Sequence, residues 1–221
     1  MTGAPDPALV ERLTEARHAI DARLTAAGAT PGTVQVIAVS KTHPAATVAA
    51  AMAAGFTDFG ESYATEFAAK AAELAEQPPR WHFIGQLQTN KVRVVAPFVD
   101  VYQSVDRPSL VSELEKRAPG AAVLVQVNLA GAAGRGGVSF DDAPGLIETA
   151  RAAGLVVTGV MGVAPLGGPD VTTSAFRRLR SLCDAEGLAD CSMGMSDDLE
   201  IAVAEGSTMV RIGSAIFGPR G

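Results

Sequence analysis

Lys41 stands directly behind an apolar run, VQVIAV (34–39), in the tetrapeptide Ser40-Lys41-Thr42-His43. A lysine in partly dry surroundings loses proton affinity, and its neutral amine can join an aldehyde carbon as a Schiff base. The plainer alternative is a strand-end lysine reaching to solvent. Far along the chain, Gly194-Met195-Ser196 and Gly213-Ser214-Ala215-Ile216-Phe217 combine glycines with hydroxyls. Glycine lets backbone N–H groups approach an anion closely, and a serine hydroxyl can donate as well. Ser196 and Asp197 also read as helix starters, with Glu200 three residues after Asp197 in capping-box spacing. Both readings can hold, provided that Asp197 and Asp198 turn their charge away from the anion. Arg211 lies in an otherwise apolar MVRIG run (209–213), so it needs an acceptor. A carboxylate inside the fold, a ring nitrogen or an anionic ligand would each serve. His82, inside WHFIG (81–85), reads first as a satisfied core histidine and second as a site residue.

Other chemistries are excluded by what is missing. No Ser–His–Asp nucleophile elbow, GxxxxGK[ST] loop or CxxC pair occurs. GAAGRGG (131–137) lacks the Lys-Ser/Thr ending of a phosphate loop and reads as a flexible connection. Asp197 and Asp198 have no His or further carboxylate at ligand spacing, which argues against a metal. A net charge of −6, with basic residues scattered and aromatics at 5%, argues against nucleic acid as a partner. Two cysteines, Cys183 and Cys191, cannot make a disulfide scaffold and suit a reducing compartment. No run approaches the roughly 18 apolar residues of a membrane span. MTGAPDP at the start has neither the basic nor the apolar region of a signal peptide, so a cytoplasmic location is expected.

The elements that must carry these residues alternate. Short β-branched runs at 34–39, 57–59, 81–84, 99–104, 122–128, 156–160, 191–193 and 208–212 predict strands. Ala-rich stretches near 43–54, 62–76, 87–95, 108–117, 142–153, 171–186 and 198–205 predict helices between them, and another helix, 7–27, precedes the first strand. VLVQVN and VQVIAV lack a polar face, as expected of strands covered on both sides. Alternation at this spacing means βα units and a parallel sheet. Eight strands permit closure into a single (β/α)8 barrel over 1–221, the preferred α/β fold, with the doubly wound open sheet as competitor. In a parallel barrel the residues at and after the strand ends carry the chemistry, which is where Lys41, Ser62, Met161, Ser196, Gly213 and Ser214 fall, with Asn128 at the end of the fifth strand.

At this point a family likeness is legible. VSKTHP (39–44), FGESY (59–63), WHFIGQLQTNK (81–91), SVDR (104–107), QVN (126–128) and SMGMSDDLEIAVAEGSTMVRIGSAIFG (192–218) resemble the YggS/PROSC family of pyridoxal 5′-phosphate (PLP) homeostasis proteins, related to the barrel domain of alanine racemase. The matches run in order along nearly the whole chain.

The resemblance implies a TIM barrel like the N-terminal domain of alanine racemase, with pyridoxal 5′-phosphate as cofactor. It makes Lys41 the Schiff-base residue, gives the phosphate to Ser196, Gly213 and Ser214, and sets Arg211 against the pyridine nitrogen. Ser62, His82, Asn128 and Met161 complete the expected cofactor-binding set. Two departures stand out. Ser62 replaces the family's usual asparagine in FGENY, which shortens any side-chain contact to the ring. Arg135-Gly136-Gly137 replaces a KxG pattern, and arginine cannot form a Schiff base, so a second aldehyde site there is in doubt. The implied function is to hold PLP and buffer or deliver it, with apo forms of PLP-dependent enzymes as partners. A monomer is expected. An amino-acid racemase is the alternative, but racemisation needs a second base, which relatives take from a tyrosine of an appended domain. Here the sequence given stops at Gly221, and its only tyrosines are Tyr63 and Tyr102.

Overall fold

A computed structural model describes residues 5–131 and 134–218. Helix α1 (Pro7–Ala26) opens where Asp6 caps the Ala8 N–H at 3.1 Å and Pro7 supplies a φ already suited to a first turn. Its Leu13, Ile20 and Leu24 form one buried stripe. Then follow β1 (Gln35–Val39), α2 (Ala45–Ala53), β2 (Asp58–Glu61), α3 (Ala64–Glu73), β3 (Arg80–Phe83), α4 (Thr89–Val95), β4 (Val101–Val105), α5 (Pro108–Arg117) and β5 (Ala122–Val127). The second half holds α6 (Ala143–Ala152), β6 (Val156–Gly162), α7 (Pro169–Ala185), β7 (Asp190–Ser192), α8 (Leu199–Ala204), β8 (Met209–Ile212) and α9 (Ser214–Phe217).

All eight strands run parallel and the sheet closes. Closure is made by β1 and β8, which pair from Gln35↔Met209 to Ala38↔Ile212. An open sheet would leave both of those edges unpaired, so the doubly wound alternative falls. The strands have two distinct faces. Val101 joins Leu124, Met161 and Met209 in a small apolar cluster in the barrel interior. The next residue, Tyr102, belongs to the larger core that packs helices onto the outside of the sheet. Alternation along a strand sends neighbours to opposite faces.

Most boundaries shift by a few residues from the sequence expectation, and three differences bear on the site. Strand β6 extends through Met161 and Gly162, because they pair in register with Gln126 and Val127. Helix α3 begins at Ala64, leaving Ser62 and Tyr63 in the connection after β2. A short helix, α9, follows β8 directly.

Helix α3 is seated by Phe67, whose ring meets Trp81 at 5.3 Å and Phe83 and Phe98 at 6.2 Å each. Burying such a side chain is worth about 1.5–3 kcal/mol, so this helix is pinned in rotation as well as position.

Candidate ligand site at the carboxyl end of the barrel

Closure places the connection after β1 beside the one after β8. Gly213 lies against Val39, since a Cβ there would come within 3.6 Å of the valine Cβ. Lys41 is two residues past Val39 and Ser214 one past Gly213, so two candidates 173 positions apart leave adjacent strands. The Ser214 hydroxyl donates to the Ser196 hydroxyl at 3.4 Å, which joins the connections after β7 and β8. Ser214 and Ala215 open α9, where N–H groups have no acceptor within the helix. Two hydroxyls and the start of a helix thus converge.

Of the acidic pair near Ser196, Asp198 is bonded locally. Asp198 accepts the Met195 N–H at 2.5 Å, folding its carboxylate into its own loop. The expected capping box is not formed: α8 starts after Asp198, and Glu200 instead receives the Arg23 guanidinium at 2.7 and 3.0 Å. Arg23 also donates to the Ser196 carbonyl at 2.8 Å, so α1 steadies the loop that carries a site hydroxyl.

Arg211 is buried in the barrel interior and meets no carboxylate. Its guanidinium donates to the Ser192 hydroxyl and to the Gly162 carbonyl, both at 2.7 Å. Burial pushes its pKa down to about 10, against a partial opposing pull from Asp198, so it stays charged at neutral pH. Behind it runs a chain of buried polar groups. The Ser192 hydroxyl donates to Gln103 Oε1 at 2.7 Å, and Gln103 Nε2 lies 2.9 Å from His82 Nδ1. His82 Nε2 lies 3.1 Å from Asp58 Oδ1. Arginine can only donate and a carboxylate can only accept, so the chain has one direction. In that direction His82 accepts at Nδ1 and donates from Nε2. Asp58 also accepts Gln35 Nε2 and the Thr57 hydroxyl, each at 2.7 Å.

His82, expected among the cofactor contacts, lies between Asp58 and Gln103. Both its ring nitrogens are taken by protein groups, and Gln103 and Ser192 link it to Arg211. Met161 is 2% exposed and packs in the interior apolar cluster, as floor rather than donor. Asn128 takes the Val138 carbonyl on its backbone N–H at 2.8 Å, and its side-chain amide lies 3.5 Å from the Arg135 carbonyl. Gln126, Asn128, Leu129 and Arg135 border a cavity of about 220 Å³ after β5. Ser62 is half-buried after β2, and the Ser62 backbone carbonyl would come within 2.2 Å of a Cβ at Gly85, so that approach needs glycine.

Sequence reasoning missed the residues around Lys41. Ser40 N–H bonds to the Gly60 carbonyl at 3.1 Å, setting Ser40 beside Glu61. The Ser40 hydroxyl donates to Glu61 Oε1 at 2.7 Å, and the buried Lys70 ammonium pairs with the same oxygen. Burial pushes the Glu61 carboxyl up despite that partner, and Glu61 Oε2 is buried without one. Thr42 sits at φ +69°, the left-handed region, which costs a β-branched residue roughly 1–2 kcal/mol. The helical stretch holding Lys70 gave no hint that this lysine turns inward. A signal existed in the Glu66–Lys70 spacing of four, which places both on one face of α3.

Among the described residues no cluster of His, Cys, Asp or Glu could hold a metal ion, and no helix is long and apolar enough to cross a membrane. Against known proteins, residues 16–221 match the family model for the alanine racemase N-terminal domain. A pyridoxal phosphate homeostasis protein of Pseudomonas aeruginosa is 43% identical over 220 residues, covering 96% of each chain. PipY of Synechococcus elongatus, solved with PLP bound, superposes with a TM-score of 0.82 at 32% identity, over 93% of this chain and all of its own. An unknown protein from Bifidobacterium adolescentis superposes at 0.88 with 30% identity, over 98% of this chain and 100% of its own. A closed eight-stranded parallel barrel is thus shared with whole-length relatives, and the chain belongs to the pyridoxal phosphate homeostasis protein family.

Proposed function

We propose that this protein binds pyridoxal 5′-phosphate at the carboxyl end of its barrel and serves PLP homeostasis by holding and releasing it. The observation that carries the reading is that closure of β8 on β1 sets the connection bearing Lys41 beside the one bearing Ser214, with Ser196 bonded to Ser214 and Arg211 inside β8. The donor set suits the cofactor. The Ser196 and Ser214 hydroxyls are 3.4 Å apart at a helix start, and the nearby Asp198 carboxylate is bound into its own loop.

When bound, the cofactor supplies an aldehyde whose carbon a primary amine can join with loss of one water. Lys41 is the amine in this reading. Ser196, Ser214 and the first N–H groups of α9 hold the phosphate. Arg211 faces the ring nitrogen and offers it a hydrogen bond while keeping its own protons. A ring nitrogen left unprotonated makes a poor electron sink, which favours a carrier over a catalyst. Tyr102 supports the same choice, because it is 1% exposed within the sheet–helix core and burial raises its phenol pKa. Tyr63 is 52% exposed and follows β2 without a described buried partner holding it as a base. Ser62, Asn128 and Met161 line the surroundings in this reading. Apo forms of PLP-dependent enzymes are the recipients, and the protein works as a cytoplasmic monomer; the two buried free cysteines suit a reducing compartment.

Purified protein titrated with PLP should develop a visible absorption band that borohydride abolishes, leaving the cofactor covalently attached. Lys41→Ala should lose both band and attachment. A wild-type protein that stays colourless with added PLP defeats the proposal. Rapid exchange of an amino acid's α-proton for deuterium would overturn the carrier half alone.

A further inference from the structure

We propose that the Glu61–Lys70–Glu66 cluster is a clamp that positions Lys41, holding the residues on both sides of it to one buried ammonium. The inference rests on the reading of Lys41 as the aldehyde-capturing amine. Lys70 reaches from α3 into the space behind the connection after β1 and is 4% exposed. An ammonium has three N–H donors, and a buried one needs all of them met. Lys70 meets three: the Ser40 carbonyl at 2.8 Å, Glu66 Oε1 at 3.1 Å and Glu61 Oε1.

Each carboxylate then repeats the grip on the turn. Glu61 Oε1 takes the Ser40 hydroxyl at 2.7 Å, while Glu66 Oε1 takes the Thr42 N–H at 2.6 Å. Lys41 sits between those two residues. Holding α3 to β2 would need only the Lys70–Glu61 pair and the Phe67 anchor. The contacts to Ser40 and Thr42 are additional, and they fall on the neighbours of Lys41 alone. Thr42 is the one non-glycine among the described residues with positive φ, so this is the turn that most needs holding. Its far side leans on the phosphate end of the site, because the His43 ring stacks 4.8 Å from Phe217 of α9. Lys70 and Glu66 are positioning residues: they touch the turn, not the ligand.

A loosened turn spreads the amine over conformers that miss the aldehyde, which lowers capture rate more than grip. Glu66→Ala tests this, since the Glu66 side chain is 33% exposed and its loss leaves the Lys70–Glu61 pair intact. Glu66→Gln is the rescue, because its amide oxygen can still accept the Thr42 N–H. Three readouts are compared with wild type: hydrogen exchange of the Thr42 and Arg211 amides without cofactor, the rate at which the PLP absorption band grows, and affinity for pyridoxine 5′-phosphate. That last probe carries an alcohol in place of the aldehyde and reports grip alone. In Glu66→Ala the Thr42 amide should exchange about tenfold faster and capture should slow about tenfold, with Arg211 exchange and pyridoxine phosphate affinity within about twofold. Glu66→Gln should stay near wild type in all three.

Unchanged Thr42 exchange with an unchanged capture rate overturns the clamp. So does a loss spread equally over Arg211 exchange and pyridoxine phosphate affinity, which would mark a general structural role. The double variant Lys70→Met with Glu61→Gln removes the buried pair without stranding a charge, and should show the same signature as Glu66→Ala; if it does not fold, the Glu66 variants decide. Should wild type itself form no band with PLP, the reading of Lys41 fails, while Thr42 exchange still shows whether the clamp holds the turn.

Discussion

The Arg211 guanidinium donates to the Ser192 hydroxyl at 2.7 Å, and that contact sets the direction of every hydrogen bond behind it. The Ser192 hydroxyl donates onward to Gln103 Oε1, which leaves Gln103 Nε2 to face His82 Nδ1. One strand-8 side chain is thereby oriented by residues on strands 2, 3, 4 and 7.

Ser192→Ala should break this order at its midpoint. The change removes little volume but leaves Arg211 Nη1 and Gln103 Oε1 buried without partners, at a cost of about 2–3 kcal/mol. Chemical denaturation should show a lower midpoint with an unchanged slope. PLP affinity should fall too, because the guanidinium is no longer aimed. Full retention of both would mean that water replaces the hydroxyl without loss.

Asp58 makes stability depend on acidity. Burial alone would raise its carboxyl pKa, but hydrogen bonds from His82 and Thr57 outweigh that and hold it below the usual range. A pKa lower in the folded than the unfolded state stabilises fully above the unfolded value, near 3.9, and is lost as pH falls through the folded value. Glu61 runs the opposite way, since burial raises it and protonation favours the folded state. Comparison with Asp58→Asn subtracts Glu61 out. The stability gap between wild type and variant should be flat from about pH 7 to 5 and close below about pH 4. A gap that widens on acidification would contradict the assignment.

Arg23 ties α1 to the loop carrying Ser196. Its pair with Glu200 is largely exposed and contributes at most about 1 kcal/mol, so Arg23→Ala should fold normally. The lost bond to the Ser196 carbonyl should instead appear in the anion grip. PLP affinity should drop about three- to tenfold, as expected for one hydrogen bond, while affinity for pyridoxal, which has no phosphate, stays level. Equal losses for both ligands would place Arg23's influence elsewhere.

The strands were legible because runs such as VQVIAV and VLVQVN are apolar on both faces, a pattern that survives any tertiary arrangement. The positions of Lys41, Ser196, Gly213 and Ser214 after strands and of Arg211 within the last one were legible for a related reason, because the strands themselves were. His82 was half legible. Its burial followed from WHFIG, but its partners come from strands 2 and 4, and no local pattern names them. Glu200 was misread as a cap, because the competing guanidinium is supplied from 177 residues away.

Local composition determined that this chain would make eight covered strands with helices between them, and that a lysine, an arginine and two serines would stand at their ends. The tertiary structure decided that the sheet closes, that Lys70 turns inward to bond Ser40 while Glu66 takes the Thr42 N–H, and that four polar side chains line up behind Arg211. The division has a physical cause. Periodicity and hydropathy act over a few residues, whereas a buried charge selects its partners by distance and dielectric once the chain is packed.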